Sequence, residues 1–454
     1  MKKRILGLFL AVLLCFAFVG CGNNGKTSET PGNGDEEGPP VAEKNWNKDP
    51  VVVKTFYDDF GSGVRSEFWQ GKNETWGANN HGTVPSNVLY TTNKTKSNAF
   101  GAESGGVVAI RSTGDLYPDA SKRRQGGCLI TTDTYGPGLY EVRMKVVPRL
   151  GQCTAAWTYY NGGGTTKETN VYSEIDIEMP MQGTYKKWAG TTYEYFVDWN
   201  ILAERTTANV EEPNGINDGK WHTYAFEWRT DEANGDKGVI WYQDGVKVAD
   251  VRTNVPKYKA AFNIGNWFPD DKSWVGVPDF EEAYMYIDWV RITEYADPSL
   301  AGGGAGGGGN AVNLGSQDIP MNNYIANGGF AVKDGKVYGW DAADDAFTVS
   351  GNDVTLAAGK KATQTITGQY NGYSYKLTAD ISVTGSGKCK VYADYMFGAV
   401  RMGSSQKLEI SADDSGAQTL EFTIDRSNIS DLRIVVETED GTTAVINDLS
   451  MFIQ

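Results

Sequence analysis

The run Ser173–Pro180, SEIDIEMP, places an acid at every second position with isoleucine between. Residues two apart on a β-strand share a face. Glu174, Asp176 and Glu178 therefore line one side of a strand, while Ile175 and Ile177 enter a core. A strand needing only a wet outer face has Thr, Lys or Ser available. Three neighbouring carboxylates repel one another, and that cost asks for a purpose.

The segments around this run alternate in the same way. GLYEVRMKV, WHTYAFEWR, GVIWYQDGVKVADV and YMYIDWVRITEY all mix apolar and polar positions with β-branched and aromatic residues. Turns between them carry Gly, Asn, Asp and Pro, as in YNGGG and PNGINDGK. Residues 51–297 thus read as an all-β domain, large enough for a two-sheet sandwich. AGGGAGGGGN, from Ala301 to Asn310, reads as a flexible linker within 298–312. From 313 to 454 a second, smaller β-sandwich is expected, with strands such as YSYKLTADISV and LRIVVET.

Lys2, Lys3 and Arg4 precede an apolar run that ends in FVG and Cys21. That pattern is a secretory signal over 1–20. FVGC resembles a bacterial lipoprotein box, so lipidation is expected at Cys21, with anchoring at the cell surface. The polar, Gly/Pro-rich stretch 21–50 reads as a tether. The formal net charge of −15 argues against nucleic acid and against an anionic lipid surface. Membrane contact is then expected only through the lipid, and a monomer is expected. Only His81 and His222 are present, which disfavours Ser–His–Asp chemistry. Beyond Cys15 and Cys21 the cysteines are Cys128, Cys153 and Cys389, an odd number. A bridge between Cys128 and Cys153 on neighbouring strands is one open arrangement.

The Cα atoms of Glu174 and Glu178 would stand roughly 13 Å apart, at about 3.3 Å per residue. Leaning inward, their carboxyls approach the roughly 5–5.5 Å of a retaining glycosidase pair. A third acid between them raises at least one pKa, since like charges disfavour ionisation. Asp176 can then hold a proton, keep one glutamate anionic and leave the other an acid. The bland alternative is a solvated acidic face. Ca²⁺ binding by the three acids is another, although a straight strand wraps a cation poorly.

SEIDIE, preceded by DTYGPGLYEVRMKVVPRLGQCTAAWTYYNG, resembles glycoside hydrolase family 16, with TYGPGLYEVRMK close to the TYGYGLYEVRMK of its bacterial lichenases, the β-1,3-1,4-glucanases. FYDDF at 56–60, WHTYAFEW at 221–228, IWYQDGVKV at 240–248 and YIDWVRITEY at 286–295 extend the likeness across 51–297. The resemblance implies a concanavalin-like β-jelly roll with a concave cleft and retaining endo-hydrolysis of a β-glycan, read here as a β-1,3-1,4- or β-1,3-glucan, with no organic cofactor. By motif position it implies Glu174 as nucleophile, Asp176 as assisting acid and Glu178 as general acid/base. It further implies a structural Ca²⁺ on Asp288 and the carbonyl of Gly106.

Departures bear on substrate. GGCLITT stands where lichenases carry GGEYRST, so Cys128 and Ile130 replace polar residues that help hold sugar. Tyr172 replaces a Trp, and NIGNWFPDDKSW replaces NLWNG with extra residues. Trp157, Tyr172, Tyr193, Asn263 and Trp267 are the candidate sugar contacts, with Trp267 the favoured stacking ring. Trp188, Tyr195 and Trp199 lie in a segment that also differs. IANGGFAVKDGKVYGW at 325–340 and AVINDLSMF resemble carbohydrate-binding modules near families 4 and 9, with Trp340, Tyr370, Tyr373, Tyr392 and Tyr395 as stacking candidates. Other activities of the family (xyloglucan or galactan hydrolysis, transglycosylation) remain alternatives, as does a non-catalytic glycan-binding surface protein.

Overall fold

The computed structural model describes residues 45–75, 82–180, 187–198, 202–211, 215–297, 318–350, 353–369 and 371–454. Cys21 with the signal and tether, the Gly-rich run, His81, Trp199 and Tyr370 lie outside the described residues, as does the side chain of Tyr195. Trp46–Gln454 forms one compact unit.

Its first part is two antiparallel sheets. One runs in the order Leu202–Glu211, Lys187–Asp198, Val171–Pro180, Cys153–Gly163, Ala261–Trp267, Gly127–Thr131, Trp69–Gly71. The acid-bearing strand Val171–Pro180 is therefore interior, hydrogen-bonded on both edges. The second sheet centres on Gly138–Lys145, flanked by His222–Asp231 and Glu282–Tyr295. In Gly138–Lys145 every second side chain is buried, as the alternation of GLYEVRMK requires. The sheets meet through aromatic rings. Tyr140 stacks on Phe226 at 4.7 Å within the second sheet, and Phe262 from the first sheet reaches Tyr140 at 5.5 Å. Such buried rings contribute both area and orientation.

One contact between the layers matters for the acids. Trp241, fully buried in the second sheet, donates its indole N–H to the Asp176 carbonyl at 3.0 Å. Gly190, level with Ile177 on the next strand, gives that ring room. A Cβ at Gly190 would lie 2.4 Å from the indole.

The described residues of 318–454 form a two-stranded ribbon, Val332–Lys333 with Lys336–Val337, and two larger antiparallel sheets, which face each other through Tyr375, Leu377, Ala379 and Ile381 on one side and Ile366, Val391, Ile434 and Val436 on the other. The motif IANGGF…W is structural here. Asn327 takes a φ of 48° and binds Ala331 and Tyr338 through its amide. Trp340 stacks on Phe330 at 4.4 Å and donates to the Asn327 carbonyl. Trp340, Tyr373, Tyr392 and Tyr395 are each 7% exposed or less. These rings pack the sandwich, so the expectation of an open stacking platform built from them is corrected.

The two sandwiches also share a bonded border. Buried Arg149 donates to the Tyr324 carbonyl at 2.7 Å, Tyr338 donates to Glu281 at 2.7 Å, and Asn217 bonds both Gly368 O and the Tyr373 hydroxyl. The second sandwich is docked on the first at these points.

Gly190→Ala should lower the stability of the chain by about 1–3 kcal/mol, because the new methyl meets a ring held by its own hydrogen bond. Urea denaturation of the variant checks this, and an unchanged midpoint would show that the indole can yield.

Candidate active site

The strand Val171–Pro180 sets the row. Glu174 faces Tyr159 and Tyr193 across its two neighbours, Asp176 faces Trp157 and Thr191, and Glu178 faces Ala155 and Ala189. Ile175 and Ile177 are buried at 0% and 1% exposure on the opposite side. Glu174 and Glu178 are half-buried, and Asp176 is 5% exposed. The three carboxyls thus share one face and are partly withdrawn from water.

Burial dominates their titration. It lifts Glu174 to about 8, with the Tyr172 hydroxyl and Lys72 pulling down and Glu178 pushing up. It lifts Glu178 to about 7, with Arg205 pulling down. Asp176 is raised well above its usual range by burial and then by both glutamates, with nothing opposing. Asp176 is therefore the first of the three to hold a proton. When Glu178 is protonated as well, its push on Glu174 disappears. Glu174 then keeps two groups that favour its anion, a donated hydroxyl and a cation. The pair can hold one anionic and one protonated glutamate, and in the free site the proton lies more on Glu174 than on Glu178.

The hydroxyl of Tyr172 donates to Glu174 Oε2. Tyr172 is 3% exposed and sits edge-on to Tyr159 at 5.7 Å and to Tyr193 at 6.2 Å. It orients Glu174 within a cage of rings. The Tyr193 hydroxyl is 3.5 Å from Arg205.

The other expected contacts divide. Trp157 and Tyr193 share the acid face but are only 8% and 6% exposed. Asn263 lies beside Trp157 in the register and is fully buried, bonded to the Trp157 and Ala261 carbonyls. Its expected sugar contact is corrected to a place in the floor, because the ring beside it and the strand carbonyls enclose it. Trp267 is half-buried on the same face and packs edge-on against Trp274 at 5.8 Å. Trp188 is 1% exposed and bonded to Gln243, so it belongs to the core. Cys128 and Cys153 are free thiols. The strand Ala261–Trp267 runs between theirs, so they are not on neighbouring strands and a bridge is excluded.

Gly106 and Asp288 come together. The Ser104 hydroxyl lies 3.1 Å from Gly106 O and 2.9 Å from Asp288 O, and it also touches Asp288 Oδ1. The Ser104 N–H also donates to Asp288 Oδ1 at 3.1 Å, and the one hydroxyl proton of Ser104 is left to be contested by the two carbonyls. Two carbonyls and a carboxylate are the hard donors that Ca²⁺ takes, so these residues fit that ion. Asp288 Oδ2 is held separately by the Glu103 N–H at 3.0 Å and the Arg143 guanidinium. Among the described residues no three His, Cys, Asp or Glu side chains gather as a metal site.

Lys72, Tyr159, Arg205 and Trp274 complete the face without having been singled out by sequence. Lys72 is 7% exposed, with its ammonium 5.4 Å from the Tyr159 ring. It stands far from the acids in sequence, and no local pattern marks it.

A family model, Glycosyl hydrolases family 16, matches residues 97–290. The chain is 30% identical over 261 residues to a β-glucanase of Bacillus subtilis (strain 168), an alignment covering 53% of this chain and 86% of that protein. It is 30% identical over 182 residues to a β-glucanase of Paenibacillus polymyxa, covering 39% and 68%. Among solved structures, the β-glucanase of Bacillus licheniformis matches with 23% identity and a TM-score of 0.41, covering 53% of this chain and 99% of that one.

The raised acids predict a pH signature. Glu178 ionises near 4.5 when unfolded and near 7 when folded, so the native state keeps a proton that the unfolded chain has lost. Stability contributed by this group is full below pH 4.5 and falls as pH rises through that window. Glu178→Gln should therefore match the parent near pH 4 and exceed it by about 1–3 kcal/mol at pH 8. Denaturation at the two pH values checks the crossing, and a constant difference would contradict the raised pKa.

Proposed function

The chain belongs to glycosyl hydrolase family 16, and from that membership we propose that it is a retaining endo-β-glucanase working through the acid row of Val171–Pro180. Glu178 protonates the leaving glycosidic oxygen while Glu174 attacks the anomeric carbon. Water activated by Glu178 then releases the glycosyl-enzyme. Asp176, holding a proton between them, bonds the neighbouring carboxyl and keeps their states apart. The observation that carries this reading is the row itself, three carboxyls on one face of one interior strand with Glu174 bonded by the Tyr172 hydroxyl. In the free site burial lifts Glu174 further than Glu178, to about 8 against about 7, and a proton on Glu178 removes its push on Glu174, leaving the Tyr172 hydroxyl and Lys72 to favour the nucleophile's anion.

A mixed-linkage β-1,3-1,4-glucan or a β-1,3-glucan is the proposed substrate, supported by the β-glucanase relatives. The buried thiol of Cys128 and the buried Ile130 offer no polar group to a sugar there, so contacts must come from other strands. Gly106 O, Asp288 O and Asp288 Oδ1 are the proposed holders of a structural Ca²⁺, with Ser104 swinging aside. A melting temperature indifferent to EDTA and to added Ca²⁺ would remove the ion from this reading. The proposed place of the chain is the cell surface, tethered by a lipid on Cys21, which membrane fractionation of Cys21→Ser tests. The second sandwich is proposed as a carbohydrate-binding module on its sequence likeness. With its rings buried, it would hold sugar through polar side chains of a sheet face, and retention on insoluble β-glucan decides this.

Glu174→Gln should reduce hydrolysis of barley β-glucan or laminarin by about 10³-fold or more while leaving oligosaccharide binding. Proton NMR of the first product should show the β-anomer. An α-anomer, or a Glu174→Gln enzyme that still turns over freely, would overturn the mechanism.

A further inference from the structure

A buried ammonium is costly unless an anion faces it, and Lys72 is buried on the face that carries the acids. The strand Trp69–Gly71 pairs Gln70 with Ile130 and Gly71 with Leu129, and Lys72 N–H then donates to Cys128 O at 2.9 Å. Thr83 donates to the Lys72 carbonyl at 2.9 Å. The backbone is fixed at both groups, so the side chain has a set origin. From there its ammonium reaches to 5.4 Å from the Tyr159 ring. Tyr159 stands directly opposite Glu174 in the register, and its ring abuts Tyr172, the donor to Glu174.

We propose that Lys72 is a positioning residue that favours the ionised form of Glu174, by bringing a buried cation to the Tyr159–Tyr172–Glu174 corner of the acid face. The role rests on the reading of Glu174 as nucleophile. The charge of Lys72 favours the anion at Glu174 and at Cys128. Other groups facing this corner do not supply that charge. Tyr172, Asp176 and Glu178 on the same strand are neutral or acidic, as are Tyr159 and Tyr193 on the adjoining strands. Glu74, near Tyr159, adds negative charge, and Arg205, 3.5 Å from the Tyr193 hydroxyl, favours the anion at Glu178. Two cations thus serve two different acids. Lys72 favours the carboxylate needed before attack, and its loss leaves burial opposed only by the Tyr172 hydroxyl.

The test is the pH dependence of kcat/KM for the full chain on a soluble β-glucan. Lys72→Met should move the acidic limb upward by at least about 0.3 pH unit, and Lys72→Arg should return it toward the parent. A purely structural role would lower activity at all pH values without moving the limb. A folded Lys72→Met enzyme, checked by circular dichroism, whose acidic limb is unmoved overturns the proposal. If Lys72→Met does not fold, Lys72→Gln carries the same comparison. Glu174→Gln separates the two layers. If it retains hydrolysis, the nucleophile assignment itself fails. If it is inactive while the Lys72 variants leave the limb in place, only the role of Lys72 fails.

Discussion

The like-charge repulsion along one face of one strand is the constraint around which the site is built. Two carboxylates about 6 Å apart repel by about 3 kcal/mol at an effective dielectric of about 20. Withdrawal from water adds a desolvation cost to each. The row cannot hold three charges, so it holds protons, and the surroundings decide where. Burial without a counter-charge places one on Asp176. A hydroxyl and a cation oppose one on Glu174, and a single cation opposes one on Glu178. Burial outweighs these groups at both glutamates and lifts Glu174 the further of the two, so their tasks part only when a proton on Glu178 removes its push on Glu174.

Such tuning works only if the strand cannot slide or twist. A shift by one residue would turn the acids into the core and the isoleucines onto the site. Hydrogen bonding to strands on both edges opposes that shift. Trp241 opposes it from below, because its bond to the Asp176 carbonyl ties the middle of the row to the second sheet. The close approach over Gly190 sets the depth of that tie. The same packing that gives the sandwich its core therefore fixes the row of carboxyls.

Much of this was legible in the sequence because it is local. Alternation in SEIDIE and GLYEVRMK gives strands and faces directly, and the structure agrees residue by residue. What was illegible depends on the order of strands in the sheet. Cys128 and Cys153 are close in sequence, yet the strand Ala261–Trp267, more than a hundred residues later, separates them. Lys72 lies about as far upstream of Glu174 and meets its corner only after the sheet forms. Aromatic residues misled for a different reason. A tyrosine on an alternating strand has the same sequence appearance whether it faces a sugar or a core. Tyr395 donates to the Thr423 carbonyl inside the second sandwich, and Tyr373 is spent on Asn217 at the border.

This division bears on how chemistry and selectivity separate in the molecule. The two glutamates belong to one strand, so their spacing is set by backbone geometry alone and survives changes elsewhere. The groups around them come from the strands near Lys72, Cys128, Trp157, Tyr193, Arg205 and Trp267, each with its own loops. Replacing a polar side chain by Cys128 alters what a sugar would meet without disturbing the distance between Glu174 and Glu178. Lys72 and Arg205 belong to an intermediate class. They arrive from separate strands, as selectivity residues do, yet they bias the charge of the acids themselves. A change at such a position would alter the working pH of the row along with what it binds, which couples the two properties wherever a cation from another strand reaches the acids.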